Sequence, residues 1–428
     1  MKSSLLLLPI IALAAAGCGS SGPEKTAPAS PVALTSAATP KNLSLETACA
    51  LAVAHHPSLA TYPMDRRAAD ARILKASRIP NPVLTLDEED FFGTGDLGGL
   101  GASVFNSLLT QVIERGGKRQ ARTEAARSAG KVMDAEYQVR RTNLIQETGE
   151  LYLKAVAAKE NLRFLEANLQ RSRETANQIG RLSEAGRVTI SSLQQAKLEI
   201  HKSELAVTEA RAQCRNQARA LTAQWGDSSD TLVSHRRVAA APATLPSQAA
   251  QKAALGNHPE IRHSLAQVSQ SDALLKLAKA NKLINPTIGG GLRNASASDQ
   301  LSALASISFP LPVFNKQEDA IKEMTALAEK SRTELAGAKQ ALNIRFALAW
   351  SDLMAAHRTA NSIKIDLLPA AVALFKSAEE SFRFGKITSL EYLAAQQQFQ
   401  NIRRQSLQAR LDYQTKAARV QALTNRTL

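Results

Sequence analysis

The 428-residue chain carries 53 Lys+Arg against 38 Asp+Glu, a formal charge of +15, with 4% aromatic residues and three cysteines. Three cysteines cannot build a disulfide framework, and 44% hydrophobic with 21% charged residues is too balanced for a disordered chain. No stretch reaches the ~18 consecutive apolar residues of a membrane-spanning helix, which excludes a multi-helix pump or permease and leaves strands as the route across a bilayer.

In chain order, Lys2 supplies a positive start and Leu5 to Ala16 an apolar run of signal-peptide length. The run ends in Leu13-Ala14-Ala15-Ala16-Gly17-Cys18, which resembles the bacterial lipobox. Residues 1–17 are therefore expected to be a lipoprotein signal peptide and Cys18 the lipid-attachment residue, with several acyl chains giving a stable anchor. Gly19, rather than Asp, after the cysteine favours the outer membrane of a Gram-negative cell. Residues 18–43 are rich in Gly, Ser, Pro, Thr and Ala and read as a lipidated tether, the folded part beginning near Leu45. Export removes nucleic acid from the partners that the positive charge suggests, and the charge is assigned to solvent-facing helices such as Arg115 to Arg141.

The rest of the chain reads as two copies of one unit, residues 44–240 and 241–428. His56-Pro57-Ser58-Leu59 recurs as His258-Pro259-Glu260-Ile261, and Ile79-Pro80-Asn81-Pro82-Val83-Leu84 as Leu283-Ile284-Asn285-Pro286-Thr287-Ile288. Gly117-Lys118 is matched to Asn315-Lys316, and Gly186-Arg187-Val188-Thr189 to Gly385-Lys386-Ile387-Thr388. The common offset of about 200 residues marks an internal repeat. Each copy reads helix, two strands, very long helix, short break, second long helix. Cys49 and Cys214, in Ala/Leu-rich helical contexts, are expected to be small packed residues.

Strands are expected near Val83 to Leu86, Ala102 to Ile113 and Ile288 to Arg293. A fourth runs over Leu301, Ala303, Ala305, Ile307, Phe309 and Leu311, with Ser302, Ser306 and Ser308 on the other parity. That alternation over about 11 residues suits a tilted transmembrane strand. The glycines Gly93, Gly95, Gly98, Gly99 and Gly101 mark a loop between the first two strands. Proline-free runs over about Arg119 to Leu182 and Gln317 to Phe384, broken only by Pro369, predict helices on the order of 95 Å long. Tyr137, Leu144, Leu151, Ala158 and Leu165 recur every seven residues, with Ala155, Leu162 and Leu169 on an adjacent line, as in a coiled-coil seam. Four strands cannot close a barrel, and open edges in lipid leave backbone groups unpaired, so other copies must complete them; three copies give twelve strands and turn the long helices into a tube.

With this layout the chain resembles the TolC-type outer-membrane factor family over about Leu45 to Leu423. Asn81-Pro82, the acidic Asp87 to Asp90 stretch, Gln111-Val112-Ile113-Glu114-Arg115-Gly116-Gly117-Lys118-Arg119 and Phe309-Pro310-Leu311-Pro312-Val313-Phe314-Asn315-Lys316 resemble its CzcC-like heavy-metal branch. The resemblance implies an α+β membrane protein: a homotrimeric, twelve-stranded outer-membrane β-barrel continued by a twelve-helix periplasmic α-barrel. It implies a passive conduit for heavy-metal cations, docked onto a periplasmic adaptor and a proton-driven resistance-nodulation-division pump of the inner membrane. The helix breaks at Gly186, Arg187 and Val188 and at Gly385, Lys386 and Ile387 then become periplasmic tips that touch the adaptor. Thr388-Ser389-Leu390-Glu391-Tyr392-Leu393 resembles the family's acidic constriction: Glu391 takes the position of its first carboxylate, and Ala394 replaces the second. Ser192, one turn into the helix after the first break, is placed at the same aperture.

No enzymatic arrangement, cofactor motif or metal-ligand spacing stands out. The seven histidines are dispersed apart from His55-His56, a helix-terminal pair before proline that reads as structural, and the five methionines make no soft-metal track. The acidic run Asp87, Glu88, Glu89 and Asp90 reads as a solvated loop. Two alternatives remain: a drug-export or protein-export channel of the same family, and a periplasmic coiled-coil scaffold lipoprotein, which would have the lipobox and heptads but no reason for two strand pairs.

Overall fold

The computed structural model describes residues 38–40, 42–95, 99, 101–230 and 237–424. The signal segment, Cys18 and most of the tether lie outside the described residues. The far end of the expected tether is corrected to docked chain. The Thr39 N–H donates to Asp227 (2.9 Å), Trp225 Nε1 donates to the Thr39 hydroxyl (3.3 Å), and the Tyr152 hydroxyl donates to the Leu43 carbonyl (3.2 Å). Leu43 and Trp225 belong to one buried cluster, so a single leucine with polar neighbours anchors a segment whose composition reads as a linker.

The first half contains α1 (Leu45–His55), α2 (Pro57–Ala60), α3 (Tyr62–Ser77), β1 (Val83–Glu89), β2 (Val104–Val112), α4 (Lys118–Glu184) and α5 (Ile190–Thr222). The second contains α6 (Gln248–Lys252), α7 (Pro259–Asn281), β3 (Thr287–Ala295), β4 (Gln300–Ser308), α8 (Glu318–Ser362), α9 (Leu368–Arg383) and α10 (Ser389–Thr424). Ser44 and Thr47 form a reciprocal capping box that starts α1. The two His-Pro pairs do the same job in both halves. His56 Nδ1 accepts from the Ser58 N–H and His258 Nδ1 from the Glu260 N–H, each with proline in the first turn of α2 or α7, where its missing donor costs nothing.

At 67 residues, α4 is about 100 Å long. Its first part packs on α3 and α7 and its second part on α5 and α10. Small buried residues, Ala69 and Ala76 against Ala125, Ser128 and Gly130, bring α3 close to it. Because α4 has several neighbours, the expected single heptad seam is corrected. Leu144 and Ala158 are buried, whereas Tyr137, Leu151, Leu162, Leu165 and Leu169 are half-buried. Towards the far end the buried line is Asn168, Ser172, Thr175, Ala176 and Ile179, with the Ser172 and Ser203 hydroxyls 3.4 Å apart across the α4–α5 contact.

Pro369 does not break the second rod. A π-helical turn over Ile363–Leu367 joins α8 to α9, with the Leu368 N–H bonding back to the Ile363 carbonyl. The wider turn accommodates a proline that lacks a donor and would crowd the carbonyl four residues earlier. Residue Gly117 heads α4 and Gln317 heads α8, both left-handed (φ 68° and 61°). The structural counterpart of Gly117 is thus Gln317, two residues beyond the expected match at Asn315. Asn315 instead accepts the Gln317 N–H (3.0 Å), a local bond that stands in for glycine's freedom.

The four strands form one antiparallel sheet in the order β1-β2-β3-β4, so β2 and β3 join the two halves. β4 ends at Ser308, short of the expected Leu311, because Pro310 and Pro312 cannot donate to a ladder. The acidic run is also corrected: Asp87, Glu88 and Glu89 are strand residues paired with Asn106, Phe105 and Val104, and only Asp90 leaves the strand, with φ 56°. Both described internal cysteines are free and half-buried, and burial pushes their thiols up.

Candidate functional site: the two-faced sheet and the tip cleft

Directly paired residues of an antiparallel sheet point to the same face, so the register sorts all four strands at once. One face collects Leu84 and Leu86, Phe105 and Leu109, Ile288 and Leu292, and Leu301 and Ile307. All eight are exposed, from 45% for Phe105 and Leu292 to 70% for Leu301. An apolar band of this kind in water is unfavourable by roughly 25 cal/mol per Å² of exposed apolar area; lipid is the environment that suits it. The opposite face carries Thr85, Asp87, Asn106, Thr110, Thr287, Arg293, Ser302, Ser306 and Ser308, with Val83, Val104, Leu108, Val112 and Leu304 as larger apolar exceptions, while Glu88, Ser107, Gln111 and Asn294 are polar exceptions on the first face. Gly291 lies on this face, where a Cβ would sit 1.9 Å from the Ser107 carbonyl oxygen; glycine is required for β2 and β3 to approach. Nine residues of about 3.4 Å each reach about 30 Å, enough, when tilted, for an apolar band about 25 Å tall. Among the described residues no helix is long and apolar enough to cross a membrane.

A row of side chains crosses the polar face: Asp87 opposite Asn106, Asn106 opposite Arg293, and Arg293 opposite Ser302. Only the register brings these residues into one row.

The motif around Glu114 and Lys118 builds the joint between sheet and rods. The Lys118 ammonium donates to Asn285 Oδ1 (2.8 Å) and to the Leu283 carbonyl, while the Arg115 N–H donates to the same Asn285 oxygen (3.2 Å). Arg122 pairs with Glu114 (2.6 Å) and donates to the Ala76 and Arg78 carbonyls (2.9 Å each). The Arg122 guanidinium holds the Glu114 carboxyl below the usual carboxylate range. Lys118, only 8% exposed, is the exception to the expectation of solvated charge over Arg115 to Arg141, where Arg115, Arg119, Arg127, Lys131, Arg140 and Arg141 are exposed.

At the far end, α4–α5 and α9–α10 turn through the same motif. The Arg187 N–H bonds to the Leu182 carbonyl and the Gly186 N–H to Ser183; the Lys386 N–H bonds to Ser381 and the Gly385 N–H to Phe382. These are Schellman pairs around left-handed glycines, Gly186 (φ 68°) and Gly385 (φ 67°). Val188 and Ile387 pack into one shared cluster with Ile179, Phe382 and Tyr392, so the two tips are tied together. Each following helix is capped by threonine: Thr189 Oγ1 accepts the Ser192 N–H (3.3 Å), and Thr388 Oγ1 accepts the Glu391 N–H (3.3 Å).

Glu391 completes a capping box that Ser192 does not, its carboxylate accepting from the Thr388 N–H and hydroxyl at 2.8 Å each. The Thr388 N–H and hydroxyl hold this exposed carboxyl below the ordinary glutamate range, so it stays anionic at neutral pH. A cleft of about 970 Å³ between the tips is lined by Arg187, Val188 and Ser192 from one side and Gly385, Lys386, Ile387 and Glu391 from the other. Of the expected tip and aperture residues only the exposed Gly186 is not in its lining, and Cys18 lies outside the described residues. Among the described residues no group of three or more His, Cys, Asp or Glu could hold a metal ion.

The sequence profile of the outer membrane efflux protein family matches residues 49–227 and 250–426. The chain belongs to the outer membrane efflux protein family. The cobalt-zinc-cadmium resistance protein CzcC of Cupriavidus metallidurans is 25% identical over 372 residues, 87% of this chain and 85% of that relative. The crystal structure of CusC, described in terms of transmembrane channel formation, superimposes with a TM-score of 0.72 at 15% identity, covering 89% of this chain and 91% of that one. That of the outer-membrane protein VceC from Vibrio cholerae gives 0.70 at 19%, covering 89% and 96%. The fold is that of outer-membrane efflux channels, and the two-faced sheet is its membrane part. The protein is an outer-membrane channel of an efflux system rather than an enzyme.

Proposed function

We propose that this efflux protein works as a homotrimer, lipid-anchored through Cys18, that conducts heavy-metal cations passively out of the cell. The observation that carries the reading is the sheet, with an exposed apolar face, a polar face and two edges, β1 and β4, that pair with no other strand among the described residues. Joining β4 of one copy to β1 of the next removes both edges, and three copies give a twelve-stranded barrel with the Asp87–Arg293 row facing the lumen. Residues 44–240 and 241–428 each contribute one strand pair and one helical hairpin. The cation assignment rests on the similarity to the cobalt-zinc-cadmium resistance protein and on Glu391. Three anionic copies around the axis would attract cations, and Ser192 would stand at the same aperture. The tips at Gly186, Arg187 and Val188 and at Gly385, Lys386 and Ile387 would meet the helical hairpins of a periplasmic adaptor, which would link the duct to a resistance-nodulation-division pump.

The test has two arms. In the first, the purified protein should run as a heat-modifiable trimer and give single-channel currents in a planar bilayer; a scaffold lipoprotein gives neither. In the second, a deletion strain should lose tolerance to at least one of Co, Zn, Cd, Cu or Ag salts with an unchanged dye panel. Unchanged metal tolerance with lost dye tolerance assigns the channel to drug export instead.

A further inference from the structure

In the tip-side half of α4, where it meets α10 of the second half, five arginines surround one cleft: Arg163 and Arg171 from α4, Arg403 and Arg410 from α10, and Arg237 from the segment joining the halves. Spacings of four and seven or eight residues put the lining positions of each helix on a single face. Of these five arginines, only Arg410 has a carboxylate partner among the described residues, Glu160, and that carboxylate also accepts the Val238 N–H (3.1 Å). One negative charge therefore stands against five positive ones.

The floor of the cleft is polar and unsatisfied. Asn168 is 3% exposed and lines the cleft, yet neither its Nδ2 nor its Oδ1 has a hydrogen-bond partner; Arg410 Nε is buried without one as well. A buried amide left unpaired costs on the order of 1–3 kcal/mol, so such groups are normally matched by protein, water or ligand. The Arg403 guanidinium lies over the Phe164 ring at 5.0 Å and near the Phe399 ring at 6.0 Å, which holds it in place. Burial and the neighbouring Arg171, Arg237 and Arg410 charges push its pKa down against the opposing pull of Glu160, as expected where cations outnumber carboxylates.

We infer that this cleft, of about 230 Å³, is a binding site for a soluble, multiply charged oxyanion of the phosphate class. Guanidinium groups match such oxyanions with paired N–H donors, and the unpaired Asn168 Nδ2 and Arg410 Nε supply two more. Distance excludes a lipid headgroup: Asn168 lies 50 residues beyond Lys118 on one continuous helix, about 75 Å from the end of the sheet. The bound anion would clamp α4, α10 and the joining segment, tying the first half of the protomer to the second.

The test uses the full-length trimer in detergent, titrated with inorganic phosphate at fixed ionic strength with chloride as the balancing anion. Saturable binding by calorimetry, with a rise in the unfolding midpoint that chloride does not reproduce, is the expected result. Arg163→Gln with Arg171→Gln, both exposed positions, should weaken phosphate binding at least tenfold while leaving the trimer band unchanged. Arg163→Lys should lie between, because it keeps the charge and loses the fork. Phosphate and chloride acting alike, or the double variant binding as the parent does, would overturn the site. So would absence of binding together with a weakened trimer, which would mean that carboxylates of an adjoining copy fill the cluster. None of these outcomes depends on which substrate the channel exports.

Discussion

The two helical tips share a backbone and differ in chemistry. Gly186 and Gly385 adopt the same left-handed conformation, the same Schellman bonds close both turns, and a threonine caps each following helix. At a constant offset of 199 residues, however, Ser183, Ala185, Ser192 and Leu193 of the first tip become Phe382, Phe384, Glu391 and Tyr392 of the second. Phe382 and Tyr392 stack at 4.8 Å with an 11° interplanar angle, and Lys386 lies 5.9 Å from the Phe384 ring. Only the second hairpin carries a π-turn, beside Pro369. Turn geometry and surface chemistry are therefore separable: glycine and threonine define the reversal, while the intervening positions are free to make one tip aliphatic and the other aromatic, with Glu391 in the place of Ser192.

The largest effect that would sharpen this contrast is in the shared core. Phe382→Ala removes an 8%-exposed ring from a stacked pair and should cost about 3 kcal/mol of stability; Leu193→Ala, at the half-buried counterpart of Tyr392, should cost about half as much. Denaturant midpoints of the two variants should differ accordingly, and equal losses would show that the aromatic tip contributes no more than the aliphatic one. Next in size, Gly186→Ala and Gly385→Ala should each cost about 1 kcal/mol, since nothing lies within 4 Å of an added Cβ and the penalty is backbone strain alone. A clearly unequal pair would break the claim that the two turns are alike.

The smallest stability effect is at the caps, where Thr189→Ala and Thr388→Ala should each cost up to about 1 kcal/mol. Here the comparison is sharpest in conductance. Glu391→Gln should lower cation current while Ser192→Ala leaves it near the parent value. The sign with pH follows from the Thr388 hydrogen bonds, which favour the charged form of Glu391. Its contribution should be complete at neutral pH, persist through the ordinary glutamate range, and disappear only below it as the carboxylate takes up a proton. A cation current that drops between pH 7 and 5 through Glu391 would contradict this.

Much of the membrane and tip architecture was readable because it rests on local rules. Apolar and polar parity marked β4, the Gly-Arg-Val-Thr and Gly-Lys-Ile-Thr strings marked both turns, and the long proline-free runs marked the rods. Misreadings arose where a residue's role depends on a distant neighbour. Asp87 to Glu89 looked like a loop because acidic residues are poor strand formers, yet β2 supplies their partners. The heptad line of α4 looked like one seam because sequence cannot show that α1, α3, α5, α7 and α10 all pack on that rod. Lys118 looked solvated, although Asn285, some 170 residues away, gives it a buried acceptor.

The positive charge shows the same division. From the sequence alone, the doubled layout, the strand parity and the glycine turns follow, because each depends on short patterns of neighbouring residues. Tertiary structure alone determines that the strands share one register with an apolar and a polar face, that Ser192 and Glu391 border one cleft, and that five of the arginines behind the +15 line one cleft with the buried Asn168. The physical reason is that burial and electrostatic compensation depend on pairs of groups brought together by packing, and no local pattern specifies which distant residue will complete a pair.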